Sequence, residues 1–187
     1  MQQPDPATGW ELVDRQIPFT YRLGHIRKDR LRIAEDRERT ITVLENAGAV
    51  YVVPVTAEGE VVLIRQYRYT VDDWVREVPA GGLFDHDGDL ASLAVRELRE
   101  ETGGEAEEVR EVGWFYDSVP ISTSRCHVFL ARGVRLAHVP RPGATELIRT
   151  ELVPVAEAMA MARDGRITDG RSALALLRCE PLLTEAP

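Results

Sequence analysis

The run "AVRELREETGG" places three glutamates, Glu97, Glu100 and Glu101, within five consecutive positions. On a helix that turns by about 100° per residue they share an arc of about 100°. Like charges three or four residues apart cost about 0.2–0.5 kcal/mol per pair, so the grouping asks for a counter-charge. A solvated face balanced by Arg96 and Arg99 is the plain answer, yet Arg99 projects far from Glu97 and Glu101. A Gly-rich loop, "PAGGLFDHDGD", leads directly into the helix. Clustered carboxylates beside exposed backbone carbonyls suit a hard divalent cation such as Mg²⁺ or Mn²⁺.

The elements that must position these acids follow from periodicity. The helix is expected from about Asp89 to Thr102, with Asp89 as N-cap and Gly103-Gly104 as its stop. Ala91, Ala94, Val95 and Leu98 form the face expected to meet a sheet. Upstream, "AVYVVPV", the turn "TAEGE" and "VVLIRQYRY" read as a β-hairpin, because two β-branched runs flank a Gly-containing loop. "VREVP" is a short strand. After the helix come strands at "EVGWFYD" and "SRCHVFLARGV", a turn-rich "VPRPGATE", a strand near "LIRTELVPV", and helices at "VAEAMAMARDG" and "DGRSALALLRC". "FTYRLGHIRKDRLRI" and "RTITVLE" alternate like half-exposed strands and are expected to form a small antiparallel sheet. The fold class is therefore α+β, an α/β/α sandwich with a mixed sheet plus that small N-terminal sheet. Residues 1–45 form the N-terminal strand region and residues 46–187 the main domain.

Composition sets the limits. The chain has 187 residues, 44% of them apolar and 29% charged, which supports one sizeable core rather than disorder. A net charge of −8 gives no general affinity for nucleic acid or an anionic membrane. No apolar run approaches about 18 residues, and the first residues lack a basic region followed by an apolar one, so a cytoplasmic location is expected. Cys126 and Cys179 have neither metal-ligand nor disulfide-framework spacing and read as core thiols. His25, His86, His127 and His138 are scattered without paired ligand spacing.

At the acidic helix the sequence resembles the Nudix hydrolase family. Its motif runs Gly, five residues, Glu, seven residues, Arg-Glu-apolar-x-Glu-Glu-x-Gly-apolar, and Arg96, Glu97, Leu98, Glu100, Glu101 and Gly103 match in order. Counting back from Arg96 places the first glycine at Gly82 and puts Gly88 where the first glutamate belongs. Starting at Gly81 requires a loop one residue longer, and Asp87 and Asp89 are the acids that can substitute. Gly104 replaces the closing apolar residue. The resemblance implies that Glu97 and Glu101 are the main metal ligands, with Glu100 and the Ala80 carbonyl as further ligands and Arg96 orienting the glutamates. It implies cleavage of a nucleoside diphosphate linked to another moiety, by water attacking phosphorus.

The segment "IRQYRYTVDDWVREVPAGG" resembles the ADP-ribose pyrophosphatase subgroup, where a Gln-aromatic-Arg strand end precedes a Glu-x-Pro-Ala-Gly turn. By that likeness Arg68, with Arg65, grips phosphate, and Glu77 lies near the ribose or metal edge. Pro120, sixteen residues after Gly104, is a further mark of the subgroup, although Ile121 follows it where a glycine is frequent. The implied reaction is ADP-ribose to AMP and ribose 5-phosphate. Another nucleotide sugar such as a GDP-hexose is the alternative substrate, and a non-hydrolysing binding module is the alternative class. In the subgroup the base sits on a loop well after the motif. "VPRPGATELIRTE" is the turn-rich stretch carrying acids there, with Glu146 first and Glu151 and Glu100 as alternatives. Trp10, Trp74, Tyr67 and Tyr69 can stack on a base or pack against the protein. Pairing of two copies is expected, because the subgroup's N-terminal sheet packs across a dimer and short hairpins are marginal alone.

Overall fold

The computed structural model describes residues 4–85 and 88–184. The chain divides into two compact units, one comprising residues 1–48 and 116–125 and the other residues 49–115 and 126–187.

In the first unit, strands β1 (Glu11–Tyr21), β2 (Gly24–Ala34) and β3 (Arg37–Asn46) form an antiparallel sheet in that order. The stretch that reads as one strand through "FTYRLGHIRKDRLRI" is broken by a turn into β1 and β2. Gly24 makes the re-entry possible, because a Cβ there would lie 2.0 Å from the Glu45 carbonyl oxygen. Segment 116–125 joins this unit through Leu44, whose N–H donates to the Ile121 carbonyl at 2.7 Å and whose carbonyl accepts from Thr123 N–H at 3.1 Å. Arg15 and Arg27 both pair with Asp29, and Arg27 also reaches Glu45. Trp10, Leu12, Val119 and Pro120 help line a cavity of about 470 Å³ within this unit.

The second unit is built on a mixed sheet. Its strands are β4 (Ala49–Thr56), β5 (Glu60–Arg68), β6 (Asp73–Glu77), β7 (Ala80–Gly82), β8 (Gly104–Glu105), β9 (Glu108–Tyr116), β10 (Arg125–Leu136) and β11 (Ile148–Pro154). The order β11-β5-β4-β10-β8 is extended by β6 beside β5, β7 beside β4 and β9 beside β10. β4 and β10 run parallel, and β11, β6 and β4 are each antiparallel to β5. β4 over most of its length and β5 from Val61 to Ile64 are continuously apolar because both sheet faces are covered there. Helix α1 (Leu90–Thr102) covers one face, packing Leu93, Ala94 and Leu98 on Val50, Val52, Val62 and Phe129. Helices α2 (Val155–Asp164) and α3 (Gly170–Thr184) cover the other, with Met159, Ala175 and Leu176 against Val53, Val61 and Leu63.

The limits of α1 agree with its sequence signals. Asp89 caps it by accepting from Ser92 N–H at 2.8 Å, and Gly103 ends it in the left-handed conformation, φ 72°. Its buried face differs from the expected one. Ala91 and Val95 are exposed, whereas Leu93, Ala94, Leu98, Glu101 and Thr102 are buried. Leucine buries more apolar area than alanine or valine, so Leu93 and Leu98 set the rotation, and that rotation carries Glu101 inward. Both cysteines are buried and free, and burial pushes the Cys179 thiol up to about 12. No described helix is long and apolar enough to cross a membrane.

Leu98 locks this rotation. Leu98→Ala is expected to cost about 2–5 kcal/mol, the range for a fully buried leucine, as measured by urea unfolding; a loss below about 1 kcal/mol would show that α1 is held by something else.

Candidate active site

Where α1 ends against β7, one of its acids is buried and a second is largely shielded from water. Glu101 is 3% exposed, and one carboxylate oxygen accepts the Ala80 N–H at 3.0 Å. Glu97 lies one turn earlier, its side chain 13% exposed, and takes a bond of 3.2 Å from Arg96. Gly81 explains how close the strand comes, since a Cβ there would stand 2.1 Å from Glu97 Cδ. Any side chain at Gly81 would push that carboxylate out of place. Glu100 is exposed, and its backbone carbonyl accepts Arg141 N–H at 2.7 Å.

Burial raises the Glu97 pKa above the ordinary carboxylate range, Arg96 opposes the rise, and the charges of Glu100 and Glu146 add to it. Glu101 is pushed up further, first by burial and then by Glu97 and Glu146, against the Ala80 N–H and Arg68. Glu146 thus stands near both helix acids, half-buried, with its carboxylate capping Gly143 N–H at 2.6 Å. Glu151 is held elsewhere, paired with Arg76 at 2.7 Å.

Arg68 extends from the end of β5 and forms a bidentate pair with Glu77, its Nε bond measuring 2.7 Å. Glu77 is 4% exposed, so the guanidinium is fixed by a buried acid while remaining partly open to solvent. Its elevated pKa comes first from that hydrogen bond. Strand alternation separates Arg68 from Arg65. Val61 and Leu63 face α2 and α3 and Val62 faces α1, so Arg65 continues the first series and Arg68 the second. The structure does not bring these two arginines together. Pro120 belongs to the first unit, where it lines the cavity with Trp10.

The remaining sequence candidates have other contacts. Asp89 is the helix cap, while Asp87 and His86 lie outside the described residues. Tyr67 donates to Asp72 at 2.6 Å and lies 6.1 Å from the Trp74 ring, and Tyr69 is exposed. His25, His127 and His138 pair with Glu45, Glu111 and Glu105. One anchoring pair, Ser172 with Asp169, escaped the sequence reading. Ser172, fully buried at the start of α3, accepts Val78 N–H at 3.1 Å and donates to Asp169 at 2.7 Å. It fixes the turn between Glu77 and Ala80. No local sequence signal marks that role, because its partner lies 94 residues away.

Among the described residues no three acidic, histidine or cysteine side chains converge tightly enough to hold a metal ion by themselves. One buried and one half-buried carboxylate, mutually repelling beside a backbone turn, nevertheless match Mg²⁺, which takes one or two carboxylates and completes its shell with water and substrate phosphate. The donor set fits a cation whose remaining ligands come from outside the protein.

Comparison with known proteins gives the family. Residues 45–174 match the NUDIX domain family. An ADP-ribose pyrophosphatase of Bacillus subtilis is 29% identical over 135 residues, 72% of each chain. Another of that name, from Mycobacterium tuberculosis, is 30% identical over 178 residues, covering 94% of this chain and 85% of the relative. A GDP-mannose pyrophosphatase of Escherichia coli is 33% identical over 137 residues, 69% of this chain and 71% of the relative. A solved structure described as an ADP compounds hydrolase superposes with a TM-score of 0.79 at 19% identity, covering 93% of this chain and 94% of its own, and supports the fold. The chain belongs to the Nudix family, whose members generally need divalent metal ions. Within it the chain groups with the ADP-ribose pyrophosphatases and is a Nudix pyrophosphatase.

Because the pKa values of Glu97 and Glu101 are raised, the metal-free native state keeps their protons to higher pH than the unfolded chain does. Their contribution to stability is complete below the ordinary carboxylate range and is lost as pH rises through the elevated values. A divalent cation favours the ionised acids, so the rise in Tm produced by MgCl₂ should be large at about pH 8 and small at about pH 5. Glu101→Gln keeps an acceptor for Ala80 N–H and should leave metal-free Tm equal or higher while removing most of the magnesium shift. Calorimetry at constant ionic strength tests both; equal magnesium shifts at the two pH values would contradict the assignment.

Proposed function

We propose that this enzyme hydrolyses the pyrophosphate bond of nucleoside diphosphate sugars, with ADP-ribose as the leading substrate and AMP and ribose 5-phosphate as products. The observation that carries the proposal is the pair of helix acids, half-buried Glu97 and buried Glu101, with the Ala80 N–H and the charge of Arg68 acting on Glu101. Glu97, Glu101, the Ala80 carbonyl and Glu100 would hold Mg²⁺, with Mn²⁺ as a substitute. The bound metal supplies charge neutralisation on the pyrophosphate and a lowered pKa for the attacking water. Arg96 orients Glu97. Arg68, braced by Glu77, binds a phosphate oxygen through the guanidinium edge that Glu77 leaves open. Glu146 takes the proton from water, since its charge is felt by both helix acids and it is not one of the ligands on the helix. Free, buried cysteines suit a reducing, cytoplasmic setting.

Assay against a nucleotide-sugar panel with Mg²⁺ tests the reading, with ADP-ribose expected to give the highest kcat/KM and EDTA to abolish turnover. The relatives named GDP-mannose pyrophosphatase favour a GDP-hexose as the second substrate to include. Glu146→Gln should lower kcat by about 10²–10⁴ with little change in KM or metal affinity. Retained kcat in Glu146→Gln together with collapse in Glu151→Gln or Glu100→Gln would move the base to the residue that failed.

The same proposal includes a homodimer in which residues 10–45 complete the partner's substrate site. On β1, Ile17 and Phe19 are 54% and 57% exposed, and the Phe19 ring stacks with Tyr21 at 6.2 Å rather than entering a core. Apolar residues on a three-stranded sheet call for a covering surface. Light scattering should report a dimer that Phe19→Asp converts to monomers of much lower activity. A fully active monomer would overturn this part.

A further inference from the structure

The sheet face opposite α1 carries a charged row that the pyrophosphatase reading does not use. Arg76 on β6, Arg65 on β5 and Arg149 on β11 are direct cross-strand neighbours, since Arg65 pairs with Arg76 on one side and with Arg149 on the other. Side chains directly opposite in antiparallel strands project from the same face. Three arginine side chains therefore leave the sheet side by side, although like charges placed opposite one another destabilise a sheet.

The row is only partly compensated. Arg76 is paired with Glu151 at 2.7 Å. Arg149 stacks over Trp74, its guanidinium carbon 4.8 Å from the ring centre. Stacking occupies the flat face of a guanidinium and leaves its N–H edge available for a fork-shaped bond to an oxyanion. Arg65 is half-buried, its side chain has no hydrogen bond or ion pair among the described residues, and its Nε is out of water without an acceptor. A buried donor attached to a permanent charge has a high cost if left unpaired.

We propose that Arg65 and Arg149, framed by Arg76 and Trp74, bind an oxyanion of the phosphate class at a site separate from the one that holds the substrate. Inorganic phosphate and a phosphate monoester such as a sugar phosphate product share the required chemistry. Occupancy would tie β6, which ends at Glu77, to β11, which begins two residues after Glu146. The site is thereby placed to restrain both segments that enter the catalytic region, and it exists whether or not ADP-ribose is the substrate.

Titration calorimetry of the full-length protein in EDTA, at constant ionic strength in chloride, tests the site without metal-assisted binding at the helix acids. Inorganic phosphate should bind saturably with a Kd of about 1 mM or tighter, as a few charged hydrogen bonds allow. Arg149→Gln, at an exposed position, should weaken binding at least about tenfold, as should Arg65→Gln, whereas Arg68→Gln should leave it unchanged. Ribose 5-phosphate binding more tightly than phosphate identifies a monoester as the occupant, and equal affinity identifies the free anion. Absence of saturable binding in the parent would overturn the proposal, as would retained binding in Arg149→Gln. Loss in Arg68→Gln alone would also overturn it, by assigning the anion to the substrate site.

Discussion

The buried carboxylate of Glu101 is the constraint around which the catalytic unit is arranged. A charged acid in an apolar layer is tolerated only when hydrogen bonds or a counter-ion compensate it. One oxygen of Glu101 is satisfied by the Ala80 N–H, and Glu97 beside it adds repulsion rather than relief. The local structure thus stores an unmet demand for positive charge. Arg68 answers it only in part, because its guanidinium is committed first to Glu77. A divalent cation and the phosphate it brings would satisfy both acids and the open edge of Arg68 together.

This demand accounts for features that otherwise look unrelated. Leu93 and Leu98 turn α1 so that Glu101 faces inward. Gly81 leaves room for Glu97. Ser172 and Asp169 pin the preceding turn to α3 through Val78, so the Ala80 N–H meets Glu101 from a fixed strand. On the other flank, the loop carrying Glu146 is docked on the end of α1, where His138 N–H reaches the Gly103 carbonyl at 3.0 Å and Arg141 N–H reaches that of Glu100. These bonds consume helix-terminal carbonyls that would otherwise lack partners. The C-terminus of one helix therefore carries the acids and anchors the loop bearing a third.

Much of this was legible in the sequence because its signals are local. Asp89 and Gly103 mark the two ends of α1, the hairpin of β4 and β5 is written in β-branched runs, and the spacing of Arg96, Glu97, Glu100 and Glu101 singles out the functional helix. What escaped was decided by tertiary competition. Periodicity alone ranks Ala91 and Val95 with Leu98, and only packing of the larger leucines selects the face that buries Glu101. The separation of Arg65 from Arg68 was present as simple strand alternation, but the likeness of the whole Gln-aromatic-Arg segment drew both toward one phosphate.

In the two proposals made above, that separation lets one strand serve two chemistries. β5 is sandwiched between α1 and the α2–α3 pair over its apolar half, and beyond Ile64 it emerges with Arg65 on one side and Arg68 on the other. Arg68 is disciplined by a buried acid and is therefore fixed in direction, which suits a substrate that must be held for in-line attack. Arg65 has no such acid. Its neighbours on β6 and β11 are cations, so its position is favourable only if an anion arrives or solvent screens the row. The difference in partners, rather than in residue type, separates a preorganised arginine from an unsatisfied one.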